Sequence, residues 1–500
     1  MSTPLLLGID QGSSGSRAVL LDAQGRVCGY GYRPLARIYP QPGWVEQDPR
    51  AVVESIQGAI TEALSRATCA VSDVIGCGIT SQRDTVFAWD ATTGQPIGHA
   101  ITWQDLRTVP LVDETNGWVL AHERRMRLGQ FPGPYCSALH MAWRMRHDRA
   151  FRHAADTGRL RVSLSAGWLV QALGTPALHA LDFSLLQGMT VFDFRTRTLW
   201  DEWIRYLDLP RAALPAPRPT VFSFGTITIE DAAGKCAEVP VHALIADQQA
   251  ALFGYDCRLP GQAAGTHGTA SFLNVAVGAL PPPPGVCKTY LAWDVQGQPM
   301  YSLEADLTVT GAAVRWMQQQ MHFFQRPADL GPLATSVPNA AGVMFVPAFT
   351  GLGVPSEDRS ARGTILGMTL DTTPAHIAHA FLDAIGFQLA EILETVAQEA
   401  GVAIRELRTG GGIAASNEAC QIQADVLGIP IVRAKDAETS VRAAALLAGI
   451  GAQVWSGIAA LPSLLDDGAT RFEPRTSADE RATRLGMWRR AVTRARGWEE

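Results

Sequence analysis

A chain of 500 residues with 47% hydrophobic and 18% charged side chains has ordinary globular composition, which excludes wholesale disorder and favours two domains over one. A formal net charge of −6 excludes a basic field for gripping nucleic acid, so no nucleic-acid partner is expected. Lysine is confined to Lys235, Lys288 and Lys435, and the rest of the 42 basic residues are Arg. Lys235 precedes Cys236 rather than Ser or Thr, which rules out a Walker A loop. No Val-Ala-Ile-Lys or His-Arg-Asp set is present, which rules out a protein-kinase fold. None of the three lysines falls in an obvious site. Any phosphate site must therefore use backbone N–H groups, hydroxyls, Arg or a metal.

The 8 cysteines are scattered with no Cys-x-x-Cys pair, the pattern of reduced thiols in a cytosolic protein. The N-terminus lacks a positive leader region, and the apolar runs fall short of a membrane span. A cytoplasmic enzyme with no membrane span is expected.

In chain order, residues 4–31 read as strand, turn, strand, turn, strand, with Gly12-Ser-Ser-Gly15 as the first turn. Residues 49–67 read as an amphipathic helix opened by Pro49. Val71–Thr80 and Thr85–Trp89 are predicted strands, and 105–235 is an Arg-, Trp- and helix-rich insertion. The second half repeats the opening of the first. Val241–Ala246 is an apolar strand ending at Asp247, and residues 263–275 give strand, Gly/Thr turn and strand. Two related α/β domains facing one cleft are expected, divided as 1–252 and 253–500. Further on, Pro374–Ala400 has helical spacing, and Gly410-Gly-Gly412 leads into a helix over 415–427. A strand near 430–433 and helices over 438–451 and 479–497 complete the chain.

Several segments carry chemistry. Gly8-Ile-Asp10-Gln-Gly-Ser-Ser-Gly-Ser-Arg17 offers a backbone anion nest, hydroxyls on Ser13, Ser14 and Ser16, a carboxylate on Asp10 suited to Mg²⁺, and the Arg17 cation. Each has a plain alternative, an ordinary hairpin turn. Gly265-Thr-His-Gly268-Thr269 is the matching bend, and two such nests facing each other suit a polyphosphate. Gly410-Gly-Gly-Ile-Ala-Ala-Ser416 at a helix start suits phosphate as well, or is only a tight turn. Asp247, next to Gln248 and Gln249, is a candidate general base, equally suited to capping a helix. Arg83 and Asp84 can bracket vicinal hydroxyls, or pair with each other. Trp103 and Tyr135 can line an apolar substrate face, or be merely packed.

Taken together, these segments resemble the FGGY carbohydrate kinases, and within them the glycerol-kinase branch. The carriers are Gly8–Val19, Pro42-Gly-Trp-Val-Glu-Gln-Asp-Pro49, Gly78-Ile-Thr-Ser-Gln-Arg-Asp84, Ile101–Thr108, Asp247–Gly254 and Gly363–Met368 with His376–Asp383. The resemblance implies two actin-like, RNase H-like ATPase domains around a central cleft. It also implies ATP with Mg²⁺ and transfer of the γ-phosphoryl group to a hydroxyl of glycerol or a related small polyol. By motif it assigns Arg83, Asp84, Trp103, Tyr135, Asp247, Gln248 and Phe272 to the polyol. Asp247 would be the base, and Asp10 and Asp247 would place the metal. Ser13, Ser14, Arg17, Gly268, Thr269, Gly311, Gly412 and Ser416 would contact nucleotide. A homodimer is one assembly the resemblance allows.

Departures from that pattern concern substrate identity. Asp84 stands where the branch carries Glu, one methylene or about 1.5 Å shorter. His140 replaces Lys, Ala246 replaces Gly, and Arg315, Gly410 and Ser416 replace Gln, Asp and Asn. Arg442 stands where Gly is usual and would crowd the adenine or reach a phosphate. The alternatives are a kinase of a longer polyol or ketose, and a catalytically weak sugar sensor on the same scaffold. Retention of Asp10 and Asp247 counts against the sensor.

Overall fold

The computed structural model describes residues 4–67, 69–268, 270–307, 309–436, 438–465 and 468–499. Among them, two seven-stranded sheets form the framework. Each begins with a central strand. In the first sheet that strand is Leu5–Gln11, flanked on one side by antiparallel Gly15–Leu21 and then Val27–Pro34. On its other side run two parallel strands, Val74–Ser81 and Cys236–Ala246. The second sheet repeats the plan. Ala263–His267 pairs antiparallel with Ser271–Gly278, which pairs antiparallel with Gln298–Leu307. On the other side lie parallel Leu407–Gly411 and Ile431–Arg433. The repeat suspected from two short hairpins therefore extends through five strands of each sheet, the actin-like plan.

Alternation explains how the first sheet is covered. Leu5, Leu7 and Ile9 face helix Pro49–Ala67, which buries Val52, Ile56 and Ile60 against them. Leu6 packs on the opposite face with Val441, Leu446 and Leu447 of helix Thr439–Gly451. That helix sits very close to the sheet. A Cβ at Gly8 would fall on the Val441 carbonyl oxygen, and one at Gly78 on that of Ala444. The last helix of the second repeat thus covers the first sheet, and its core joins Ala243 and Ile245 to Ala264, Ala276 and Trp293.

Several boundaries differ from the sequence reading. Residues 71–73 form a 3-10 turn before the strand, because Asp73 accepts from the Ala70 N–H and closes it. The next strand is Phe87–Asp90 rather than 85–89. The helix expected from 415 starts at Asn417, since Ser416 is its cap and accepts from the Ala419 N–H at 3.1 Å. The insertion holds short helices as expected, including Ser137–His147 and Phe183–Gly188. The C-terminal helix, Ala478–Ala495, buries Trp488 on Phe387. None of the described helices is long and apolar enough to cross a membrane.

Candidate active site

The parallel strands of the first sheet deliver the acids. Asp10 lies near the end of its strand, opposite Arg17 and beside Thr80. Asp247 follows strand Cys236–Ala246 directly and is the first residue of helix Asp247–Gly254. The helix dipole there favours a carboxylate. Its Oδ1 accepts from the Gln248 N–H at 2.8 Å, and Ser184 holds the preceding turn by accepting from the Ala246 N–H at 2.9 Å. Enclosure pushes the Asp247 pKa above the carboxylate range, with Arg83 pulling the other way. Enclosure pushes Asp10 up to about 7, opposed by Arg17 and reinforced by the neighbouring charge of Asp247.

Asp247 opens into a cavity of about 390 Å³. All seven residues assigned to the polyol line it: Arg83, Asp84, Trp103, Tyr135, Asp247, Gln248 and Phe272. The first sheet and its insertion supply most of one wall, and the strands holding Phe272, Lys288, Tyr290 and Asp306 supply the other. Trp103 is 41% exposed at the rim.

Arg83 and Asp84 do not pair with each other as one reading of the sequence allowed. Arg83 donates from Nη2 to Glu304 Oε1 at 3.0 Å, lies 3.8 Å from Asp247 Oδ1 through Nε, and stacks over the Tyr290 ring at 4.6 Å. Asp84 takes a left-handed backbone conformation, φ 59°, which Asp tolerates better than most residues. Its Oδ1 is buried without a protein partner. Enclosure pushes its carboxyl up to about 7, against the pull of Arg83 and Lys288. Arg83 Nη1 and Gln248 Oε1 are also buried without a protein partner, so a polyhydroxyl ligand would meet both donors and acceptors.

Sequence reasoning missed Glu304, Tyr290, Gln130 and Asp306, and it set Lys288 aside. Lys288 lines the cavity, with Nζ 3.1 Å from Asp306 Oδ1. Tyr290 donates to Gln130 Oε1 at 3.0 Å. The one available signal was strand alternation, which puts Lys288 and Tyr290 on one face and pairs Lys288 with Glu304 across the ladder.

The residues assigned to nucleotide fall in two groups. Ser13 and Ser14 form the first bend, where their carbonyls accept from Gln47 Nε2 and the Leu35 N–H. Gly268, Gly311 and Gly412 converge: the Gly311 N–H donates to the Gly268 carbonyl, and the Gly412 N–H to that of His267. Gly411 beside them has φ 96° and leaves no room for a Cβ against His267. Ser416 caps its helix and donates to Glu418 at 2.7 Å. Thr269 lies outside the described residues. Arg17 pairs with Glu438 at 2.8 Å and lies 3.9 Å from Asp10. Arg442 pairs with Asp436 at 3.2 Å. His140 is fully buried, bonds the Pro134 carbonyl, and is held neutral because burial pushes its pKa down to about 4.

Two actin-like repeats with paired bends at a cleft, and an acid at a strand end, define the class as a sugar-kinase-type phosphotransferase. Comparison with known proteins agrees. Residues 5–254 match the N-terminal domain and residues 263–452 the C-terminal domain of the FGGY family of carbohydrate kinases. The chain belongs to that family, whose members are ATP-dependent kinases acting on an alcohol group. It is 38% identical to a glycerol kinase of Symbiobacterium thermophilum over all of this chain and 99% of the relative. It is 40% identical to one of Aromatoleum aromaticum over 99% of each. The crystal structure of Plasmodium falciparum glycerol kinase with ADP superposes with a TM-score of 0.92 at 25% identity, covering 99% of this chain and 98% of that one.

Proposed function

We propose that this protein transfers the γ-phosphoryl group of ATP to a hydroxyl of glycerol or a related small polyol. One observation carries this: Asp247 shares a single cavity with Arg83, Asp84, Trp103, Tyr135, Gln248 and Phe272, in a chain 36–40% identical to glycerol kinases over its full length. Two domains, 1–252 and 253–500, would close on the substrates and exclude water.

Asp247 takes the proton of the attacking hydroxyl as that oxygen bonds the γ-phosphorus, the bond to the β,γ-bridging oxygen breaks, and ADP leaves. Arg83 keeps Asp247 ionised and, with Asp84, orients the polyol. Tyr135 and Phe272 cover its carbon edge, and Trp103 closes the rim. Ser13, Ser14, Gly268, Gly311, Gly412 and Ser416 are read as the phosphate and nucleotide contacts. Arg17 reaches them only by leaving Glu438.

Asp10 and Asp247 fit a hard cation, as neighbouring carboxylates that raise each other's cost of ionisation. Among the described residues no three His, Cys, Asp or Glu side chains form a metal site, so phosphate and water oxygens must complete the shell. When bound, Mg²⁺ neutralises charge on the transferring phosphate. The free cysteines Cys28, Cys69 and Cys236, none of them buried, are consistent with a cytoplasmic location.

An ATP-coupled assay over glycerol, tetritols, pentitols and ketoses tests the reading. ATP-dependent turnover of at least one polyol is expected. Turnover of none, with polyol binding retained, would mean a sensor instead.

A further inference from the structure

We propose that Lys288 and Asp306 form a distal hydroxyl subsite that selects neutral polyols of four or five carbons over glycerol. This rests on the polyol-kinase reading above. Both residues come from the second sheet, and both keep an opening to the cavity: their side chains are 30% and 31% exposed. The ammonium has three donors and spends one on Asp306, which has a second oxygen to offer. Together they present a donor and an acceptor to one hydroxyl or to a vicinal pair.

The cavity holds two separate ion pairs, Arg83–Asp247 and Lys288–Asp306. Asp247 marks the reacting end, with Arg83 against it at 3.8 Å. Asp84, next to Arg83 in the chain, lines the same cavity with its Oδ1 buried and without a protein partner. Lys288 Nζ lies 5.8 Å from the centre of the Tyr135 ring. Asp306 sits opposite Phe272 on the neighbouring strand. A polyol with its reacting hydroxyl at Asp247 has the Arg83–Asp247 pair at that end and the separate Lys288–Asp306 pair available to its remaining hydroxyls.

Size and charge choose the ligand. At about 30 Å³ per heavy atom, the volume share of liquid water, the six heavy atoms of glycerol take about 180 Å³, which leaves room to spare in a 390 Å³ cavity that also reaches Ser13 of the first bend. A five-carbon polyol with ten heavy atoms takes about 300 Å³. Even without Asp84, the carboxylates of Asp247, Glu304 and Asp306 outnumber the cations of Arg83 and Lys288, so a sugar acid or sugar phosphate would meet a surplus of like charge. A neutral polyhydroxyl chain fits both. The shorter reach of Asp84, relative to Glu, leaves more of the cavity that it lines open.

The test uses the full chain as wild type, Lys288→Met and Asp306→Asn. ATP-dependent kcat/KM and calorimetric Kd are measured for glycerol, erythritol, ribitol and xylitol, with melting curves to confirm folding. Wild type is expected to prefer at least one longer polyol, and each folded variant to lower the longer-polyol-to-glycerol ratio by about ten-fold or more. A smaller change in that ratio, or a wild-type preference for glycerol over every longer polyol, overturns the subsite. If wild type phosphorylates no polyol, the kinase reading fails, and the same threshold applied to the Kd ratios still decides the subsite. If one variant unfolds, the other decides.

Discussion

Arg83 and Glu304 tie the two repeats together across the cavity: a loop of the first sheet reaches a fully buried carboxylate on the second at 3.0 Å. Breaking a buried pair by removing one partner costs about 3–5 kcal/mol, because the remaining charge stays enclosed. Glu304→Ala is therefore expected to lower stability by about 3 kcal/mol in urea unfolding. A loss below about 1 kcal/mol would mean that water already screens Arg83.

The same guanidinium sets the base. Asp247 works ionised, and enclosure lifts its pKa above the usual carboxylate range while Arg83 pulls it back. Taking the cation away disfavours the carboxylate, so its pKa rises and more of the enzyme is protonated at a given acid pH. Arg83→Met is expected to move the acid limb of the kcat/KM profile to higher pH, apart from any loss in polyol affinity. An unmoved limb would assign the titration to another group.

Asp247→Asn removes the proton acceptor while keeping the size and the Gln248 contact. Turnover should fall by about 10²–10⁴-fold, with nucleotide affinity within about three-fold of wild type by titration. Near-normal turnover would remove Asp247 as the base.

Asp10 and Asp247 were legible in the sequence because an acid at the end of an apolar strand is a local signal, as is a Gly- and Ser-rich bend. The repeat was legible for the same reason, through its two hairpins. Glu304, Tyr290 and Asp306 carry no local mark. Their role arises when strand alternation and the ladder bring them to one face and that face meets the other repeat. Lys288 was visible yet passed over, since nothing within its own segment distinguishes a cavity lysine from a surface one. Of the two readings left open for Arg83 and Asp84, mutual pairing rested on adjacency in sequence alone; Arg83 pairs with Glu304 instead, and Asp84 takes a left-handed backbone. Helix Thr439–Gly451 reads as part of the second domain, and only packing reveals that glycines at 8 and 78 receive it on the first sheet.

Asp84→Glu extends the carboxylate by about 1.5 Å in the cavity that it lines. Glycerol should gain in kcat/KM relative to erythritol and the pentitols, because the longer chain loses room. Glu is also less at ease at φ 59°, so a stability loss of about 1 kcal/mol is expected beside it. An unchanged substrate ranking would remove Asp84 as a discriminator.

Two glycines separate packing from ligand contact. At Gly78 a Cβ would fall on the Ala444 carbonyl, backbone against backbone, so the helix must move. Gly78→Ala should cost about 1–3 kcal/mol or more. At Gly412 an added Cβ meets nothing within 4 Å, and the backbone, φ −60°, suits any residue. Gly412→Ala should therefore unfold within about 0.5 kcal/mol of wild type. If nucleotide phosphate approaches this backbone closely, as its convergence with Gly268 and Gly311 implies, the methyl group stands in the way. ADP affinity, read by calorimetry, should weaken about ten-fold. Unchanged affinity in a stable Gly412→Ala protein would move the nucleotide away from this bend.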